Sequence, residues 1–158
     1  MIKFLSKILG GNKSEKDVKK IEPLIGQINQ FYSAYSNLTN DALRHKTIEF
    51  KQRIKEHLAG IDATITAKQD EAEQLTENDI HGKDVLYKEV DDLKKDRAKK
   101  IEEILDILLP EAFAVVKETA RRFTENTAVE ATATDLDRDL SVKKGHIAIQ
   151  GDKSIYQN

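Results

Sequence analysis

Apolar residues recur at three- and four-residue spacing along most of this chain, the period of helices that each bury one face. In Met1–Gly10, MIKFLSKILG, the residues Met1, Ile2, Phe4, Leu5, Ile8 and Leu9 fall within an arc of about 160° at about 100° per residue. Lys3, Ser6, Lys7 and Gly10 fill the other side. Gly10-Gly11-Asn12 breaks this helix. Val18, Ile21, Leu24, Ile25, Ile28, Phe31, Tyr32 and Tyr35 predict a second helix of about five or six turns, which starts or kinks near Pro23. Thr39 or Asn40 can cap a third, with Asp41 in its first turn where the helix dipole favours an anion. Leu43, Thr47, Phe50, Ile54 and Leu58 form its stripe, and Gly60 reads as its end.

Two segments of heptad-like spacing follow. Ile61, Ile65, Lys68, Ala72 and Leu75 form the first, Leu86, Val90, Leu93, Arg97, Ile101, Ile104 and Leu108 the second, and Glu77–Gly82 is the turn between them. The pattern predicts an antiparallel helical arm whose seam weakens at Lys68 and Arg97. Asp84–Lys88, Asp91–Lys95 and Asp96–Lys100 support its solvent face, acid first at i,i+4. Leu109-Pro110 opens a new helix with core positions Phe113, Val116, Ala120 and Phe123. Thr127–Thr134 reads as a loop, and the isoleucines at 147, 149 and 155 as a short hairpin. Two strands alone are marginal, so the hairpin is expected to need partners the chain does not contain. The fold class is therefore mainly α: an elongated helical fragment with an antiparallel hairpin arm and a short C-terminal β-hairpin.

Composition narrows the chemistry. The chain has 158 residues, with 26 Lys+Arg against 28 Asp+Glu, too balanced for a dedicated nucleic-acid binder. Having no Cys excludes disulfides, thiolate chemistry and sulfur-ligated zinc. No apolar run is long enough to span a bilayer. Six lysines in residues 1–20 against Glu15 and Asp17 make the opening locally basic. Such an amphipathic helix can lie on an anionic membrane surface through Ile2, Lys3, Phe4, Leu5, Lys7, Ile8 and Leu9, or dock its apolar face on protein.

No catalytic constellation emerges. His45, His57, His81 and His146 are scattered, and the carboxylates sit among lysines. Gly145 to Ser154 superficially matches a phosphate-binding loop, but five residues separate its glycines and Asp152 stands between Gly151 and Lys153. An aspartate there would repel phosphate, so this stretch is a hairpin turn. No catalytic residue, cofactor site or metal site is assigned.

Leu109-Pro110-Glu111-Ala112-Phe113-Ala114-Val115-Val116-Lys117-Glu118-Thr119-Ala120-Arg121-Arg122-Phe123 resembles the "IPEAFAVVREA…R" helix near the start of the SecA family, the ATPase motors of bacterial protein export. Residues 38–54, from Leu38-Thr39-Asn40-Asp41 to Gln52-Arg53-Ile54, resemble its "LSDEEL..KT.EF..R" segment, and residues 1–11 its basic opening helix. The resemblance covers roughly residues 1–58 and 108–123. Residues 61–107 read as a helical insertion, and the residues after Phe123 as unfamiliar to the family.

The resemblance implies an N-terminal fragment, divided as opening helix 1–11, helical segment 12–60 flanking the first nucleotide-binding domain, inserted hairpin 61–108, helix 109–125 packing on that domain, and loop with hairpin 126–158. The parent would couple ATP and Mg to threading preproteins through the SecYEG channel, working in the cytoplasm and peripherally at the inner face of the cell membrane. The fragment would supply association with anionic phospholipid and the channel together with scaffolding, without cofactor or catalysis. Self-pairing into a homo-oligomer stays open. The alternative is a free-standing helical adaptor that binds partners through residues 61–108.

Overall fold

The computed structural model describes residues 13–76 and 79–157. Seven elements follow one another: α1 (Lys13–Tyr35), α2 (Asn40–Gln74), α3 (Ile80–Glu125), β1 (Ala128–Thr132), α4 (Asp135–Lys143), β2 (Ile147–Gln150) and β3 (Lys153–Gln157). They form two compact units. One is Lys46–Leu109; the other joins the chain up to His45 with the chain from Pro110 onward.

The Lys46–Leu109 unit is the antiparallel arm. Leu58, Ile65 and Ala72 of α2 are buried, as are Leu86, Val90, Ile104 and Leu108 of α3. Cross-helix pairs run in opposite directions along the chain: His57–Glu103 at 3.8 Å, Asp62–Arg97 at 2.5 Å and Lys68–Glu89 at 3.0 Å. Lys68 and Arg97 do not leave the seam open as expected. Each sends its cationic end to a carboxylate of the facing helix. The turn ends in a cap, where Asp79 Oδ1 accepts the Gly82 N–H at 2.9 Å. A Cβ on Gly82 would lie 2.6 Å from that carboxylate, so a larger residue here would turn the Asp79 side chain aside and disturb the cap.

Two expected helix breaks are absent: α2 runs through Gly60 and α3 through Pro110, and α1 starts at Lys13 instead of near Pro23, which it contains. A glycine inside a helix costs only about 1 kcal/mol relative to alanine, and the buried Leu58 and Ile65 on either side of Gly60 offset it. Proline costs about 3 kcal/mol. Pro110 lies buried between Leu108 and Ala114, so the core stripe on both sides holds α3 continuous.

In the other unit, α1 lies antiparallel to the last turns of α3. Lys117 Nζ donates to Asn29 Oδ1 at 2.8 Å and sits 4.2 Å from the Tyr32 ring centre, while Tyr35 Oη donates to Glu111 at 3.1 Å. Tyr35, Leu43 and Ala114 form the buried core, packed around by Ile28, Phe31, Tyr32, Leu38 and Val115. Thr39 is the cap of α2, its Oγ1 accepting the Ala42 N–H at 3.1 Å.

The tail differs from its expected form. Thr127–Thr134 is not a loop: it contains β1, and the sheet order is β1-β3-β2, antiparallel throughout. Val129 faces Tyr156 and Ala131 faces Ser154, so the partner that the β2–β3 hairpin needed is in the chain itself. Gly151, at φ +61°, takes the first position of the two-residue β2–β3 turn, where a side chain would be strained. α4, which also lies where a loop was expected, starts from a capping box. Thr134 caps the Asp137 N–H, and the Asp137 carboxylate accepts the Thr134 N–H at 2.8 Å.

Candidate functional site

The expected membrane-facing residues, Ile2, Lys3, Phe4, Leu5, Lys7, Ile8 and Leu9, lie outside the described residues. The described chain instead concentrates its polar structure in two buried clasps, both in the unit that joins the two ends of the chain.

The first clasp is built on the final turns of α3. Glu118 is fully buried, and its Oε1 accepts from Arg122 Nε at 2.7 Å and from Arg121 Nη2 at 2.7 Å. Arg122 turns its remaining nitrogens onto the α1–α2 connection, donating to Leu38 O at 2.7 Å, Tyr35 O at 3.2 Å and Asn40 Oδ1 at 2.7 Å. A guanidinium carries five N–H donors in a fixed fork, so one side chain serves carbonyls at the end of α1 and in the connection together with a buried carboxylate. The Arg121 guanidinium first, and Arg122 after it, hold the Glu118 carboxyl below its ordinary range although burial opposes this.

The second clasp centres on Asp137, whose side chain is 2% exposed. Its oxygens accept from Arg44 Nη1 at 2.8 Å, Arg44 Nη2 at 3.2 Å, Thr134 N and Oγ1, and the Tyr156 hydroxyl. Burial works to raise the Asp137 carboxyl. The donors from Tyr156, Thr134 and Arg44 outweigh it and hold the group well below the carboxylate range. Burial, and then the neighbouring Asp137, push the Tyr156 phenol up. Asp41 joins from the first turn of α2, accepting Thr132 N and Thr132 Oγ1, each at 2.8 Å. These bonds, the backbone one first, lower its carboxyl as well.

Both arrangements fix charge instead of poising it for proton transfer. Every buried carboxylate has its donors aimed at it, which rigidifies the junction of three helices and a sheet. His45, His81 and His146 are exposed, and His57 lies half-buried in the arm. Among the described residues no three His, Cys, Asp or Glu side chains gather as a metal site, and no helix is long and apolar enough to cross a membrane.

Sequence reading missed the clasp residues. Two local signals could have marked them: Thr134-Asp135-Leu136-Asp137 has the spacing of a capping box, and Glu118 with Arg122 is an i,i+4 acid–base pair on a face that also carries Ala114. The sequence also places Phe113, Val116 and Ala120 in the core. In the structure Phe113 is 52% and Val116 65% exposed, and Ala120 is exposed too. At about 100° per residue they lie opposite the buried Ala114, Glu118 and Arg122, so this end of α3 packs through one face and leaves an apolar face exposed opposite it.

The family model described as the SecA DEAD-like domain matches residues 5–148. The chain belongs to the SecA family. Its relatives include the protein translocase subunit SecA of Porphyromonas gingivalis, 38% identical over 155 residues, and that of Flavobacterium psychrophilum, 41% identical over 157. The SecA of Christiangramia forsetii is 40% identical over 158 residues. These alignments cover 98% or 99% of this chain and 14% of each relative, so the chain spans about a seventh of the length of the SecA proteins it matches. The match runs through residues 61–108 and past Phe123 to 148, so 61–107 and 124–148, which carried no resemblance in the sequence, lie inside the matched range. No solved structure matches the chain significantly.

Proposed function

We infer that this chain is the scaffolding and membrane-associating portion of a SecA-type translocase that couples ATP hydrolysis to preprotein movement through the SecYEG channel. The observation that carries the scaffolding role is the second apolar face of α3, at Phe113, Val116 and Ala120, opposite the face that packs in its own unit. A helix that packs through one face and exposes an apolar face opposite it suits a place between two layers. The covering layer in this reading is the first nucleotide-binding domain of the motor, with ATP and Mg held there and not here. The clasps at Glu118 and Asp137 keep that face at a fixed orientation to α1 and α2. The opening segment supplies the membrane contact: lysines 3 and 7 attract anionic headgroups and the apolar arc from Ile2 to Leu9 inserts beneath them, peripherally at the cytoplasmic face.

The test is co-expression of this chain with the remainder of a SecA polypeptide lacking the corresponding residues. The two copurify, and Phe113→Ser/Val116→Ser abolishes copurification while the isolated chain keeps its thermal midpoint. Copurification unaffected by that double substitution contradicts the docking face. The adaptor reading through residues 61–108 draws support from no specific feature: the exposed charges of the arm are largely paired with one another along each helix.

A further inference from the structure

Residues 128–157 are joined to the helices of their unit in an unusual way. The buried apolar cluster there draws on α1, α2, α3 and the α1–α2 connection, with Tyr35, Leu43 and Ala114 at its centre. The sheet and α4 instead meet the helices through polar side chains from the start of α2. Asn40 Nδ2 donates to Glu130 O at 2.6 Å, Asp41 accepts the Thr132 N–H and hydroxyl, and Arg44 Nη1 donates to Thr132 O at 3.0 Å. Arg44 also makes the paired contact with Asp137. Phe123 adds one edge-on ring contact to Tyr156, with centroids 6.1 Å apart. The segment is internally cross-tied: three paired strands, the Thr134–Asp137 capping box, the Tyr156–Asp137 bond and Ser154 Oγ donating to Ala131 O at 3.2 Å.

Polar contacts at a partly exposed junction exchange with water at little net cost, whereas an apolar seam does not. The arrangement therefore separates two levels of stability: a tied segment, and an attachment in which the exposed contacts of Asn40 and Asp41 and the Phe123–Tyr156 ring contact surround one partly buried ion pair, Arg44 with Asp137. We propose that residues 128–157 are a docking module that opens from and closes onto the start of α2 as one body, with Arg44 as the latch. Of Asn40, Asp41 and Arg44, Arg44 is the one that grips both β1, at Thr132, and the start of α4, at Asp137, so its removal frees both elements together. This inference is independent of the translocase reading.

The chain contains no Cys, so label sites can be introduced singly. Spin labels at Ser36→Cys and Gln150→Cys, both exposed positions, report the distance between helix connection and module in the 158-residue chain. A second pair, Ala128→Cys and Gln150→Cys, reports the module's interior. Arg44→Ala enlarges a longer-distance population of the first pair about tenfold, and Arg44→Lys does so less, because a point charge replaces a fork. In both variants the second pair keeps its distance. If Arg44→Ala does not fold, a series from about 0.05 to about 1 M NaCl on the labelled chain with Arg44 in place enlarges the same population, since screening weakens the charged contact. A first-pair distance unmoved by substitution and salt overturns the proposal. So does broadening of both pairs together, which would mean that the module melts instead of undocking.

Discussion

Arg122 Nε meets Glu118 Oε1 at 2.7 Å one helical turn away, with the carboxylate fully buried and the guanidinium 10% exposed. The same guanidinium holds the carbonyls of Tyr35 and Leu38, so one ion pair inside α3 fixes where α1 stops and α2 starts.

Arg122→Ala leaves Glu118 with Arg121 alone and takes the side-chain donor from Leu38 O, while Tyr35 O keeps the Leu38 N–H. Removing one partner of a buried pair costs more than the pair contributes, here about 2–3 kcal/mol. Urea unfolding followed by circular dichroism measures it, and a loss below about 0.5 kcal/mol, the range of an ordinary surface substitution, contradicts this role for Arg122.

Leu108 and Leu105 test the arm. Leu108 is 4% exposed in the seam and Leu105 48% exposed outside it. Leu108→Ala should cost about 3 kcal/mol and Leu105→Ala less than about 0.5 kcal/mol. Equal losses in urea unfolding would mean that the seam has been misplaced.

Much of the helical fold was legible because the seam residues repeat at fixed spacing: Ile65 and Ala72 on one segment and Leu86, Val90 and Ile104 on the other could be read from the pattern alone, whereas Leu58 was assigned to a separate helix. The breaks failed because Gly60 and Pro110 are local signals, and tertiary burial on both sides overrode them. β1 was hidden in a Thr- and Ala-rich stretch that becomes a strand only when Val129 and Ala131 meet Tyr156 and Ser154 more than 20 residues on. The clasps were illegible for the same reason: Arg44 and Asp137 are 93 residues apart, and no local period links them.

The pH dependence follows from Asp137, Glu118 and Tyr156. The native Asp137 and Glu118 carboxyls lie below their ordinary values of 3.8 and 4.5. Their contribution is therefore present above those values and is lost as pH falls through and below them. The Tyr156 phenol lies above its ordinary 10.0, so its contribution is full below that value and is lost as pH rises beyond it. Thermal midpoints should fall on both sides, and Asp137→Asn should flatten the acid side. An acid limb as steep in that variant as in the unsubstituted chain would remove Asp137 from the account.

The proposed membrane role rests on charge and can be tested apart from folding. Lys3→Glu/Lys7→Glu should weaken co-sedimentation with phosphatidylglycerol vesicles about tenfold or more, since each basic residue near an anionic surface contributes about 1 kcal/mol. Thermal unfolding should not change. Binding indifferent to the double substitution and to removal of residues 1–10 would withdraw the lipid claim.

The central claim, that the chain braces a motor whose catalysis lies elsewhere, is tested most directly by steady-state ATP hydrolysis. The remainder of a SecA polypeptide is assayed with and without this chain, beside the chain alone. No turnover is expected from the chain alone, and a rise is expected when the two are combined, lost with Phe113→Ser/Val116→Ser. Turnover by the isolated chain, or a combined rate equal to that of the remainder by itself, would contradict it.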